Sequence, residues 1–91
     1  MRVNQNFILR QIADEYLLIP VGPAAQKVKG MISLSESGYL LHQKLQESCT
    51  REDLVRVLLA EYDVEEEVAS ADVDAFLDRM RRIGMLEEVE T

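Results

Sequence analysis

With a single cysteine, Cys49, the chain can close no disulfide within itself and cannot assemble a zinc site of the multiple-cysteine kind, so a reducing cytoplasm is the natural compartment. It also has only one histidine, His42, which leaves few groups for acid–base or metal chemistry. No apolar run is long. The longest block, YLLIPV at 16–21, is far short of a bilayer span, and MRVNQNFILRQ holds no apolar run of signal-peptide length. Positive charge is scarce as well: 10 Lys and Arg stand against 17 Asp and Glu, a net charge of −7. That field repels phosphate backbones and anionic lipid surfaces. The nearest thing to a basic patch, Arg79, Arg81 and Arg82, is short. Nucleic acid and membrane are therefore not expected partners, and a basic or apolar partner suits the field better.

What remains is an ordinary globular composition, 47% hydrophobic and 30% charged over 91 residues. A chain of this length buries only about 60–65% of its extended surface, enough for one core, so residues 1–91 are expected to form a single domain.

Two β-rich runs come first, FILRQIA at 7–13 and EYLLIPV at 15–21, joined by a polar break at Asp14. The second is apolar at consecutive positions, as in a strand covered on both faces, and stops at Pro20 and the Gly22–Pro23 pair. After a short loop, KVKGMISLS predicts a third strand over 27–34 with an irregularity at Gly30. Ser35 or Ser37 can cap a first helix running to about Glu47, with Leu41 and Leu45 on one stripe and Leu40 beside it. Thr50 with Asp53 reads as a capping box for a second helix that turns Leu54, Val55, Leu58, Leu59 and Tyr62 inward. Asp63 with Glu66 repeats the pattern for a third helix over 64–83, whose stripe is Ala69, Val73, Phe76, Met80 and Ile83. Acids at its start and arginines at its end complement the helix dipole. Gly84 supplies a left-handed cap from which Met85 and Leu86 fold back, and EEVET reads as a frayed tail. The predicted class is α+β, an N-terminal three-stranded antiparallel sheet over about 7–34 followed by three helices over about 36–84, similar to a winged helix-turn-helix module.

No catalytic constellation emerges. His42 reads as a surface or half-buried helix residue and Cys49 as a small structural one. Seven residues would bring the two to one side of a continuous helix, but no third group orients them. Glu65, Glu66 and Glu67 open a helix, where acids are usually solvated, and DVEEEVASAD lacks the ligand spacing of a calcium loop. In SESG, one glycine, no lysine and Glu36 where a phosphate would sit argue against an anion loop. A winged-helix DNA reader would present the triple glutamate to phosphate first. No metal and no cofactor is expected, and the chain is not expected to be an enzyme.

Three segments in register carry a resemblance. FILRQIADEYLLIPVG, then GMISLSESG, then YDVEEE followed by ADVDAFLDRMRRIGML resemble the PqqD family across nearly the whole chain. Lys29 stands where the family usually has asparagine, and Ser35 and Ser37 stand for its asparagine and threonine; both serines keep capping character. The resemblance implies a RiPP recognition element. Such a module is a non-catalytic peptide chaperone that binds the leader of a ribosomally made precursor and presents it to a modifying enzyme, often a radical SAM protein, as in PQQ biosynthesis. It further implies that the leader adds as a strand to the third strand's edge, against the third helix. The matching positions here are Val28, Lys29, Gly30, Met31, Ile32 and Ser33 on the strand, and Asp72, Ala75, Phe76, Arg79, Met80 and Ile83 on the helix. Strand addition supplies main-chain hydrogen bonds for affinity and side-chain pockets for specificity. Arg79 is then a partner for a leader carboxylate, and Phe76 and Met80 the floor of an apolar pocket. An open edge also permits pairing with a second copy. The competing readings are a DNA-binding regulator and a redox enzyme using Cys49.

Overall fold

The structure, a computed structural model, describes residues 1–88. Its elements are β1 (Arg2–Val3), β2 (Phe7–Ile12), β3 (Glu15–Pro20), α1 (Ala24–Lys27), β4 (Ile32–Leu34), α2 (Glu36–Lys44), α3 (Arg51–Glu61), α4 (Glu66–Arg82) and β5 (Leu86–Glu87). The α+β class holds: an antiparallel sheet in the order β2-β3-β4 precedes the three longer helices.

β2 and β3 close around a two-residue turn, Ala13–Asp14, with Ile12 opposite Glu15 and Ala13 at a φ of 55°. Such a tight loop fixes the register of everything beyond it. One face of the sheet turns Phe7, Leu18 and Leu34 into the core, with Tyr16 stacked on Tyr39 of α2 at 4.0 Å between ring centroids. The opposite face is not covered by any of the described helices. Ile8 and Ile12 are 38% and 55% exposed, and Leu17 and Ile19 only half-buried, so β3 is not sandwiched as its consecutive apolar residues predict. All three long helices lie elsewhere, and a sheet of three strands with helices on one side keeps a bare back.

The third strand is shorter than predicted. Residues 24–27 form a single helical turn, Gly30 takes a φ of +85°, and pairing with β3 begins only at Ile32. Lys27 therefore belongs to a helix, and Val28, Lys29, Gly30 and Met31 lead into the strand without being part of it.

The helices form where their caps put them. Ser35 accepts from the Gly38 amide at 3.1 Å to start α2, and Thr50 and Asp53 exchange the two bonds of a capping box, 3.1 and 2.9 Å, to start α3. The repeat predicted at Asp63 does not form: α4 begins later, after Glu65, with no side-chain cap. At the other end the prediction holds. Gly84 at φ +77° lets its own amide reach Arg81 C=O at 3.1 Å and the Met85 amide reach Met80 C=O at 2.9 Å, the paired bonds of a Schellman cap. This turn drives Met85 into the core at 0% exposure and leads into β5, which pairs with β1 through Arg2–Glu87 and Val3–Leu86. Glu87 is thus strand and not tail; Val89, Glu90 and Thr91 of the predicted tail lie outside the described residues. Arg51 grips Asp74 with two bonds, 2.6 and 3.0 Å, tying α3 to α4, and this holds the Asp74 carboxyl below its ordinary pKa.

Two inward assignments change. Leu59 is 38% exposed, beyond the edge of the α3 stripe made by Leu54, Val55 and Leu58. His42, in contrast, is buried at 4% exposure, because the inward stripe of α2 is Gly38, Leu41, His42 and Leu45, spaced by three, one and three. The Gln46 amide lies 3.4 Å from each ring nitrogen. Burial lowers the His42 pKa from its ordinary 6.5. The unfolded chain then binds a proton that the folded one resists, so stability is full above pH 6.5 and falls as pH drops below it. We expect the urea midpoint to fall between pH 7.5 and 5.5, with a loss no steeper than about 1.4 kcal/mol per pH unit, and His42→Gln to flatten that fall. An equal fall in the variant would contradict this.

Candidate functional site

The register of the β2–β3 hairpin decides which backbone groups the sheet leaves open. A two-residue loop makes Ile12–Glu15 a hydrogen-bonded pair, and alternation then makes Arg10–Leu17 and Ile8–Ile19 bonded pairs too. The Val21 amide bond to Asn6 C=O, 2.8 Å, continues the same phase. Leu17 therefore spends its peptide groups on β2, while Tyr16 and Leu18 turn theirs to β4, meeting Leu34 and Ile32. Opposite Leu17, Ser33 points both its N–H and its C=O away from the sheet. Because peptide units are planar and trans, Met31 C=O and Ser35 N–H point outward with them. This edge is the open side of β4.

One wall of the space beside it is α4. Asp72, Ala75, Phe76 and Arg79 follow each other at helical spacing on one face, next to the core stripe of Ala69, Val73 and Met80. Leu34, Gly38 and Leu41 form the floor, and Ser35 and Ser37 the rim, of a groove of about 280 Å³. Gly38 keeps that floor low: a Cβ there would stand 3.4 Å from Ser35 Oγ and 3.6 Å from Leu34 Cδ2. Past the rim, Tyr62, Val64, Leu58 and Glu36 line a continuation that shares Ser35, Ser37 and Asp72. Tyr62 donates to Glu36 Oε1 at 3.2 Å; its partial burial, and then this bond, raise the phenol above its ordinary pKa. At the other end of β4 a more apolar hollow of about 480 Å³ is lined by Ile19, Pro20, Val28, Lys29, Gly30 and Met31, among others. The edge strand thus runs between two hollows.

The residues predicted for the site divide accordingly. Arg79 and Ser33 are in direct contact, the guanidinium donating to Ser33 C=O at 3.0 Å. Asp72, Ala75 and Phe76 share the groove with Arg79, although Phe76 is itself buried in the core at 9% exposure, as its place in the predicted stripe has it. Val28, Lys29, Gly30 and Met31 lie together at the far hollow, Met31 being 59% exposed. Ile32 is half-buried against the core, as is Ile83, and neither lines these hollows. Met80 is wholly buried. The walls supplied by Ile19, Pro20, Ser35, Ser37 and Gly38 were not predicted as site residues. Only the serine caps could have been placed there from the sequence, since a helix starting at the end of an edge strand must put its first turn beside it.

Cys49 and His42 form no pair. α2 ends at Lys44, so no continuous helix carries both, and Cys49 sits in the link to α3 with its backbone bonded to Met1 at 2.9 and 3.0 Å. Burial first, and then the charge of Asp53, raise the thiol pKa, which keeps Cys49 in its unreactive protonated form at neutral pH.

The α+β fold is shared by known structures. TbiB1 in complex with the TbiA(beta) leader peptide matches at a TM-score of 0.77, with 22% identity and 100% of each chain covered. Lasso peptide synthetase B1 complexed with the leader peptide matches at 0.75, with 22% identity and 96% of each chain covered. No curated protein matches the chain. The family model described as coenzyme PQQ synthesis protein D (PqqD) matches residues 15–86, and the chain belongs to that family.

The division between wall and core is checkable. Ala75→Arg should leave the unfolding free energy within about 0.5 kcal/mol of wild type, because the site is exposed, whereas Met80→Ala should lower it by about 2–5 kcal/mol in urea unfolding. Equal losses would place Ala75 in the core.

Proposed function

We propose that residues 1–91 act as one non-catalytic peptide-recognition domain that binds the leader of a ribosomally made precursor by adding it as a strand to β4. The observation that carries this is the pair of outward peptide groups of Ser33, set beside a groove walled by Asp72, Ala75, Phe76 and Arg79. Backbone groups at an exposed edge seek partners, and an extended peptide provides them at each second residue. Its alternate side chains enter the α4 groove and the hollow at Met31. Membership of the PqqD family supports the reading, as do two leader-bound proteins with the same fold. The Val28–Ser33 segment and the α4 face are the contact surfaces, with Met80 and Ile83 acting from behind by fixing Phe76 and Arg79.

The captured leader holds its precursor for a modifying enzyme, of the radical SAM class in our reading, in the cytoplasm. No helix among the described residues is long and apolar enough to cross a membrane. Nothing in the fold favours duplex DNA. Glu65, Glu66 and Glu67 are exposed at the start of α4, where a reading helix would meet phosphate. Pairing of two copies through β4 uses the same peptide groups and so competes with the leader.

Ser33→Pro tests the strand addition. Proline removes the outward N–H of Ser33 and none of the bonds to β3, a placement that edge strands tolerate. Titrated with the leader peptide of its precursor, the variant should bind at least about tenfold more weakly, with an unchanged far-UV CD spectrum. Undiminished affinity would contradict the proposal.

A further inference from the structure

Of the four backbone groups on the outer side of β4, the one with a partner among the described residues is Ser33 C=O, and that partner is the Arg79 guanidinium at 3.0 Å. Arg79 is exposed, and no carboxylate lies within ion-pair range of it among the described residues. Yet Ser33 C=O is a group that an added strand must use: a residue paired with Ser33 donates its N–H to this oxygen and accepts from the Ser33 N–H. The oxygen has two lone pairs, but the guanidinium stands on the outer side of β4 where the incoming strand must lie, so the two donors crowd each other there. The crowding has a cost unless the displaced cation finds another partner, since a strand laid over the groove also strips water from it.

We propose that Arg79 is a displaceable plug on the edge of β4, and that it makes the site select strands carrying an aspartate or glutamate at the position that reaches Arg79. This rests on the strand-addition reading above. The carboxylate takes the guanidinium in a charge-assisted, two-pronged bond as the peptide amide takes Ser33 C=O, so every group that was bonded before binding is bonded after it. A neutral strand leaves Arg79 unpaired beside the new backbone. The selectivity is local and runs against the net charge of −7, which disfavours acidic peptides in general. It also has a direction along the groove. Asp72 lies two turns before Arg79 on the same face of α4, and Glu36 lines the continuation beyond it. A strand with its acid at Ser33 and a basic residue toward Asp72 and Glu36 is matched at both ends, and the reversed arrangement is opposed at both. In the free protein the same plug blunts the edge, because a second β4 brings no carboxylate to draw Arg79 away: Ile32, Ser33 and Leu34 are uncharged.

The test uses a display library of random peptides of about twelve residues, selected in parallel on wild type and on Arg79→Gln, which removes the charge from an exposed position. Peptides enriched on wild type should share an Asp or Glu at one position, and those enriched on Arg79→Gln should lack it. Changing that Asp to Asn in a wild-type winner should weaken binding to wild type by about five- to tenfold and leave binding to Arg79→Gln within about twofold. Winners with no shared acid, or an equal loss on both proteins, overturn the plug while leaving strand addition standing. Enrichment of no peptide by either protein overturns the strand-addition reading and the plug with it.

Discussion

An edge strand with one neighbour must leave the N–H and C=O of every second residue without a sheet partner, and the rest of this molecule is arranged around that remainder. The phase is set at a distance, by the two-residue loop at Ala13–Asp14. A one-residue slip of the β2–β3 pairing would put Phe7 and Leu18 on opposite faces of the sheet; taken up by β3, it would carry Leu18 to the bare face and turn the peptide groups of Leu17 toward β4. The hydrophobic pattern that builds the core therefore also chooses which peptide groups are open.

Holding a groove beside those groups is the task of α4. Its buried face is continuous from Ala69 to Met80, and the Schellman turn at Gly84 locks its last turn by burying Met85. The 85–88 segment then returns to β1, and Arg51–Asp74 fixes the helix against α3. α4 thus stands on buried side chains from Ala69 to Met80, Phe76 among them, while Asp72, Ala75 and Arg79 on the neighbouring face are exposed. Such a face can change its contacts without disturbing the core. The contact between Arg79 and Ser33 is of that kind: one hydrogen bond at an exposed position between elements that other residues hold in place.

The parts of this arrangement legible in the sequence are those with local causes. The Thr50–Asp53 box, the Ser35 cap, the Gly84 turn and the α4 stripe each depend on residues within one or two turns, and each appears as read. Asp63 and Glu66 have the same pattern as Thr50 and Asp53 and do not cap, because the chain around Val64 stays extended and starts the helix after Glu65. The one-turn helix at 24–27 and the two-residue strands at 2–3 and 86–87 are too short to leave a periodic signal; their stability comes from Ala24, Val3 and Leu86 packing on a core assembled by other elements. His42 was legible in principle, lying four residues after Gly38 and three before Leu45, but a polar side chain conceals an inward position from hydrophobic patterning. Of the site, the segments could be placed from their likeness to PqqD sequences, whereas the contact between Arg79 and Ser33, 46 residues apart, is a product of tertiary packing alone.

Amide hydrogen exchange along β4 tests strand addition at the backbone itself. In the free protein the amides of Ile32 and Leu34 are bonded to β3 and the amide of Ser33 is not, so exchange should be slow, fast and slow along the strand. With the leader bound, the Ser33 amide should become protected by about tenfold or more, while Ile32 and Leu34 keep their slow rates. Leader binding that leaves the Ser33 amide exchanging as before would show that the peptide is held elsewhere.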